Sequence, residues 1–306
     1  MKNKRLIAIL LFIFSWSYMI YKLCVYDDYG LLFAKLSNLP VSNYFLLLGV
    51  LFLMPFNIFF EILKWHISVN RVNEQTLLCS FRQVMLGNAG AFITPYRIGE
   101  HPSRAYYIEN RDVFFAAVAL GFIGTVALEI INIGVGLPAS VFYFDNTQPA
   151  VVFIVYGAVL FMALLLFMLL PSIGAHFKKR KIQNKQTIQM IDTLCGLDKK
   201  YLINLLFLSL LRYIVYSLQL WLALKFFQVD LSPLQAIIAI PTYYLLVSVT
   251  PSLPIADAAV RGSWSIIVFQ TYTADTPSIA FAAVLLWLIN TALPLIILPF
   301  IKNYKI

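Results

Sequence analysis

Long apolar runs broken by short polar segments fill the chain, and several approach the roughly 20 residues that a helix needs to cross a hydrocarbon core. Leu6 to Tyr21, Tyr44 to Leu63, Val113 to about Phe142, Ala150 to Leu170, Leu202 to about Phe227 and Ser278 to Phe300 are six such runs. The first follows MKNKR and has the look of a secretory signal. No convincing small-residue cleavage site follows it, so it reads as a retained first span with a cytoplasmic amino terminus.

Two other stretches do not read as spans. In the first, from about residue 80 to 104, the apolar part Val84 to Ile93 is too short to cross; Gly87 and Gly90 break it and Pro95 ends it. In the second, 234 to 269, Pro251 and Pro254 interrupt the middle, within TPSLPIADAAVRGSW. Proline removes a backbone donor and clashes with the preceding turn, so helices break there. Each stretch is expected to enter the membrane, turn and leave on the same side, which requires other helices or a water-filled cavity around the irregular backbone.

Charge supplies the orientation. If segments 2–5, 64–112, 172–200 and 301–306 face the cytoplasm, they hold 18 of the 23 basic residues, while Lys22, Lys35 and Lys225 lie opposite. Positive residues favour the cytoplasmic side. Residues near 71 and 111 then share the inner side, and Asp230 and Asp275 share the outer one. The two interrupted stretches thus enter from opposite faces, as in inverted-topology transporters whose substrate sites form where broken helices meet. No residue-level repeat relates the halves, so this symmetry rests on topology alone.

Composition narrows the class further. With 61% hydrophobic and 12% charged residues and a mean hydropathy of +0.81, the chain is an integral membrane protein with no room for a separate catalytic domain. The predicted fold is all-α and polytopic: one domain, 1–306, with six transmembrane helices and two oppositely oriented re-entrant hairpins. Cys24, Cys79 and Cys195 are scattered, as are His66, His101 and His176, so neither a disulfide framework nor a metal site is indicated. GxxxxGK[ST] is absent, and no nucleotide or other cofactor is expected. Most of the 25 Phe, 17 Tyr and 5 Trp are expected at lipid-facing and interfacial positions. HFKKRKIQNKQ, beside a span, reads as contact with an anionic membrane surface and not with nucleic acid.

Candidate chemistry concentrates in GNAGAFITPYRIGEHPSRAYY, Gly87 to Tyr107, where Asn88, Arg97, Glu100, His101 and Arg104 lie between apolar runs. Pro102 fits the first turn of a helix, so one is predicted from Gly99–His101 through Tyr107. Glu100 and Arg104 then share a face, acid before base. Two arginines against one glutamate, beside the free N–H groups of a helix start, attract an anion such as a phosphate. Asp257 and Arg261 form a second acid and base pair four residues apart. Glu129 and Asn132 fall inside the third span and Arg212 inside the fifth. An unpaired charge there costs at least about 2.5–3.5 kcal/mol, so Glu129 is expected to pair with Arg212. Glu61, with Lys64 and Trp65 nearby, is expected to be an interfacial anchor.

Asn88, Pro95, Arg97, Gly99, Glu100 and Arg104 resemble the N…PxRxGExxR signature of the flippase-like lysylphosphatidylglycerol synthase transmembrane family, which includes the membrane half of the multiple peptide resistance factor. The likeness covers most of the chain in hydropathy and segment order. The family's second motif is a proline, glycines and an Arg-Glu pair. Arg261 matches the Arg, Gly262 replaces the Glu, and Asp257 offers a carboxylate one turn earlier. The resemblance implies translocation or handling of polyprenyl-linked or aminoacylated phosphate-bearing lipids in the inner (cytoplasmic) membrane, and adds no enzyme chemistry. The lipid head group would be held by Asn88, Arg97, Glu100, Arg104, Asp257 and Arg261, supported by Glu129, Asn132 and Arg212. Two alternatives stand beside this: a membrane-embedded lipid-modifying enzyme using Glu100 or His101 as acid or base, and an accessory subunit of a lipid or glycan synthase. The partners to seek are accordingly a phosphate-bearing lipid, a synthase, or a second copy of the chain.

Overall fold

A computed structural model describes residues 16–25, 29–30, 33, 37–94, 97–108, 110–144, 149–180, 183–250 and 254–296. The MKNKR start, most of the predicted Leu6 to Tyr21 span, Pro95, Pro251 and the Lys302 and Lys305 tail lie outside these residues. Among the described residues all regular structure is helical, and five helices are long and apolar enough to cross a membrane. The protein is an all-α, multi-pass membrane protein.

Several helices begin where a short polar side chain accepts one of the first free N–H groups. α1 (Val41–Val69) follows Pro40. Thr76 accepts from Cys79 N at the start of α2 (Leu77–Ile93), and α3 (Glu100–Tyr106) carries Pro102 in its first turn. Asn110 caps the 3-10 turn that leads into α4 (Phe114–Tyr143). α5 (Pro149–Met168) is followed by two short helices, α6 (Leu170–Lys178) and α7 (Lys185–Cys195), which pack on each other. The basic run was expected only as a membrane-surface segment, and it falls around the junction of this pair. Asp198 caps α8 (Lys199–Phe226). Ser232 and Gln235 form a reciprocal capping box on α9 (Pro233–Val249). α10 (Pro254–Phe269) comes next, and α11 (Thr276–Trp287), capped by Asp275, passes into a π-turn at Leu288–Ala292.

α1 to α4 and α8 to α11 follow one plan: a span, two short helices, a span. Their packing follows it in part. α3 meets both α2 and α4 as α10 meets both α9 and α11, but α2 lies on α1 of its own unit whereas α9 lies chiefly on α4 of the other. One apolar cluster holds Ile62, Trp65, Val69, Val84 and Ile108 of the first unit; another joins Leu220, Leu224, Tyr243, Phe269 and Ile279 of the second unit to Val50 and Met54 of α1. The two units meet along α1 and α8, the most extensive helix pair. α5 stands outside this arrangement and exposes most of its surface, as a lipid-facing helix does.

One sequence expectation is corrected here. Gly87 and Gly90 do not break α2, which runs unbroken from Leu77 to Ile93. They let α3 approach it: a Cβ on Gly87 would come within 2.8 Å of Arg104 Nε, and one on Gly90 within 2.7 Å of the Gly99 carbonyl oxygen. Where lipid tails are as apolar as the helices, such close backbone approach is a main source of attraction.

Candidate functional site

A cavity of about 450 Å³ lies where the two units meet. α1, α2, α4, α8, α9, α10 and α11, the residues around α3, and the π-turn all contribute to its wall. Asn88, Arg97, Glu100, Glu129, Asn132, Arg212, Asp257 and Arg261 face it together, although they come from widely separated parts of the chain. Arg104 does not line it. Its side chain is 2% exposed, with Nη1 donating to Glu61 Oε1 at 2.8 Å and Nη2 to Glu100 Oε1. The Trp65 ring lies 5.6 Å away. Two carboxylates occupy the fork that a phosphate would need, so Arg104 holds helices together behind the cavity wall.

Glu61 is the hub of the charge network. Expected as an interfacial anchor, it is instead buried and accepts from Lys64 Nζ at 3.2 Å, from Arg104, and from Arg212 Nη1. Arg212 therefore pairs with Glu61 and not with Glu129. Its Nε also donates to Asn57 Oδ1 at 2.9 Å. Asn57 donates to Asn290 at 3.0 Å, Asn290 to Gln219 at 3.1 Å, and Gln219 to the Val50 carbonyl at 3.0 Å. One chain of polar contacts thus links α3 through α1 and α8 to the last span. The signal for it lay in α1: Asn57, Glu61, Lys64 and Ser68 fall at spacings of four, three and four, which aligns them on one helical face. Asn290 is carried by the π-turn, a backbone feature frequent at functional sites and not legible from composition.

The chain turns sharply beside this network. Arg97 has a φ of 56°, the left-handed region that a residue with a side chain enters uncommonly. Its Nε donates to Glu100 Oε2 at 2.9 Å, and its side chain is half exposed. Arg97 is also near enough to Asp257 and Arg261 to interact with their charges, so the tips of the two hairpins converge. Arg261 donates to Asp257 Oδ2 at 3.1 Å and is in hydrogen-bonding reach of Tyr243. Glu129 accepts from Asn132 Nδ2 at 3.2 Å, and Ser248 of α9, whose hydroxyl donates to the Leu245 carbonyl, lines the cavity with it. His101, also buried, has Nε2 2.8 Å from Thr125 Oγ1.

Lys64, Arg97, Arg212 and Arg261 line the cavity against Glu61, Glu100, Glu129 and Asp257, and Arg104 behind the wall brings the whole cluster to five positive groups against four carboxyls. Arg97, Arg212 and Arg261 each keep some surface accessible, so a ligand could share donors that the carboxylates leave open. The arrangement suits a phosphate or another anion. Among the described residues no group of three or more His, Cys, Asp or Glu side chains could hold a metal ion.

A family model described as the lysylphosphatidylglycerol synthase TM region matches residues 6–298. Neither a curated protein nor a solved structure gives a significant match to the chain.

Proposed function

The chain belongs to the lysylphosphatidylglycerol synthase TM family, a membrane family tied to lipid handling, and from that premise we propose that it moves a phosphate-bearing lipid between leaflets. The observation that carries this reading is the convergence of three partly accessible arginines, Arg97, Arg212 and Arg261, on one cavity walled by two charge-bearing helix pairs. In this reading both hairpins are re-entrant, entering from opposite faces, and both termini lie in the cytoplasm, as the basic-residue bias requires. Arg97, Arg212 and Arg261 engage the phosphate, with Asn88 as a neutral donor. Arg104, given this task by the sequence motif, instead keeps Glu61 and Glu100 in place. Glu61 and Glu100 temper the attraction, since a carrier must release its load. The cavity suits a head group, with acyl or polyprenyl chains left in the bilayer, and aminoacylated and polyprenyl-linked lipids both satisfy this chemistry.

The test is movement of a mass-tagged phospholipid across proteoliposomes, with lipid mass read at the end. Wild-type protein is expected to make the lipid accessible on the opposite leaflet with its mass unchanged. The Arg97→Ala, Arg212→Ala double variant should insert but lose most of that movement, and Arg97→Lys should recover little, because a point charge does not replace a planar fork. A changed lipid mass would favour a membrane-embedded enzyme. Wild-type rates in the double variant would end the transport reading.

A further inference from the structure

Four carboxylates line the cavity: Glu61, Glu100, Glu129 and Asp257. Glu61, Glu100 and Asp257 each contact an arginine. Glu129 forms no ion pair among the described residues; it accepts from the Asn132 amide, and the Ser248 hydroxyl lines the cavity with it, both neutral groups. Neutral partners can serve a carboxylic acid as well as a carboxylate, whereas an arginine fixes the ionised form. Carboxyls placed in this way within membrane helices mark proton pathways in pumps and transporters.

The groups around Glu129 sharpen its position. From α1, Lys64 is near enough to be felt electrostatically, but its Nζ is bound to Glu61. From α3, His101 contacts Thr125, one turn before Glu129 on the same face of α4, while Glu100 is engaged by Arg97 and Arg104. α8 brings Arg212, held by Glu61 and Asn57, and Tyr216, whose hydroxyl donates to Asn132 Oδ1. α9 brings Tyr243 and Tyr244, and Asp257 and Arg261 of α10 face the same cavity as a pair. α5 carries only Tyr156. α7 meets α4 near Ala116, thirteen residues or about 20 Å along the helix from Glu129.

We propose that Glu129 is the proton carrier of this protein, taking up a proton when an anionic head group occupies the cavity and giving it back when the head group leaves. This rests on the transport reading above. An ionised Glu129 would face the phosphate across the cavity, so anion binding favours its protonated form. By reciprocity protonation favours the anion, and the two are bound together and released together. Lipid and proton then travel in the same direction, and net transport runs toward the more alkaline side.

Two measurements test this. In proteoliposomes carrying an imposed pH gradient, the wild type should move tagged anionic phospholipid toward the alkaline side faster than without the gradient. Glu129→Gln, which stays permanently neutral, should bind lipid but respond to no gradient. Gradient-insensitive movement by the wild type, or gradient-driven movement by Glu129→Gln, overturns the proposal while leaving lipid transport standing. The second measurement needs no transport: short-chain phosphatidylglycerol is added to weakly buffered, detergent-solubilised protein over a pH series. This phosphodiester has no second ionisation, so the proton taken up belongs to the protein. About one proton per bound lipid is expected for the wild type at its maximum, and none for Glu129→Gln. No uptake by the wild type, or uptake that survives Glu129→Gln and so points to His101, overturns the assignment.

Discussion

Arg104 in the first hairpin and Arg261 in the second each follow a carboxylate by four residues, and their sequence settings look alike. Arg104 is fully buried and reaches past Glu100 to Glu61 on another helix, which in turn holds Lys64 and Arg212. Arg261 keeps part of its surface and pairs within its own helix to Asp257, with Tyr243 of the same hairpin in reach. The glycines repeat the contrast. A Cβ on Gly90 would meet the Gly99 backbone at 2.7 Å, whereas one on Gly262 would meet the sulfur of Met19, part of a flexible side chain, at 2.6 Å. The first hairpin is locked into the span framework, and the second carries its own charge balance. In the transport reading the second hairpin is the one suited to move, since an ion pair within one helix shifts with that helix.

The comparison breaks most visibly at the hub. Glu61→Gln leaves Lys64, Arg104 and Arg212 without their shared carboxylate and should cost about 3–5 kcal/mol of stability, by analogy with other broken buried pairs. Unfolding of detergent-solubilised protein is the measurement. In a double-mutant cycle Arg212 should couple to Glu61 and show little coupling to Glu129. Additivity for Glu61 and Arg212 would mean that the hub does not form.

Next in size is the pair of glycine substitutions. Gly90→Ala must displace backbone or Ser103 and should cost about 1–3 kcal/mol. Gly262→Ala, opposed by a movable methionine, should cost under about 1 kcal/mol. Equal costs would remove the distinction between a fixed and a yielding hairpin. Asp257→Asn, which weakens a pair within one helix, should cost no more than about 1 kcal/mol. Its effect on lipid movement should exceed its effect on unfolding, the reverse of Glu61→Gln.

The smallest effect lies outside the membrane-spanning segments, at the cap of α8. The Tyr201 N–H, and then the Arg71 side chain, hold the Asp198 carboxyl below the usual aspartate range. A carboxyl with a lowered folded-state pKa contributes stability that is complete above its unfolded value, near 3.9, and is lost as pH falls through the lower folded value. Unfolding of the wild type and of Asp198→Asn should therefore differ little by pH between about 5 and 8 and converge only in strong acid.

Much of this protein was written into the order of its residues. Apolar run length set the spans, because a bilayer core demands a fixed number of helical residues, and Pro102 marked where one short helix starts. The charged residues of the two broken stretches were visible for the same reason that they are expensive: nothing apolar hides them. What sequence could not decide was partnership. Glu61 looked interfacial because Lys64 and Trp65 follow it, and only the packing of α8 and α3 against α1 turned it into a buried hub. Arg212 could have met either Glu61 or Glu129; one is on α1 and the other on α4, and spacing along α8 does not say which side chain it will reach. Arg104 carried the motif and lost the ligand role because tertiary contacts filled its guanidinium from two sides. A charge can be placed at a depth by local hydropathy, but its partner is fixed by helix packing, which depends on residues far away in the chain.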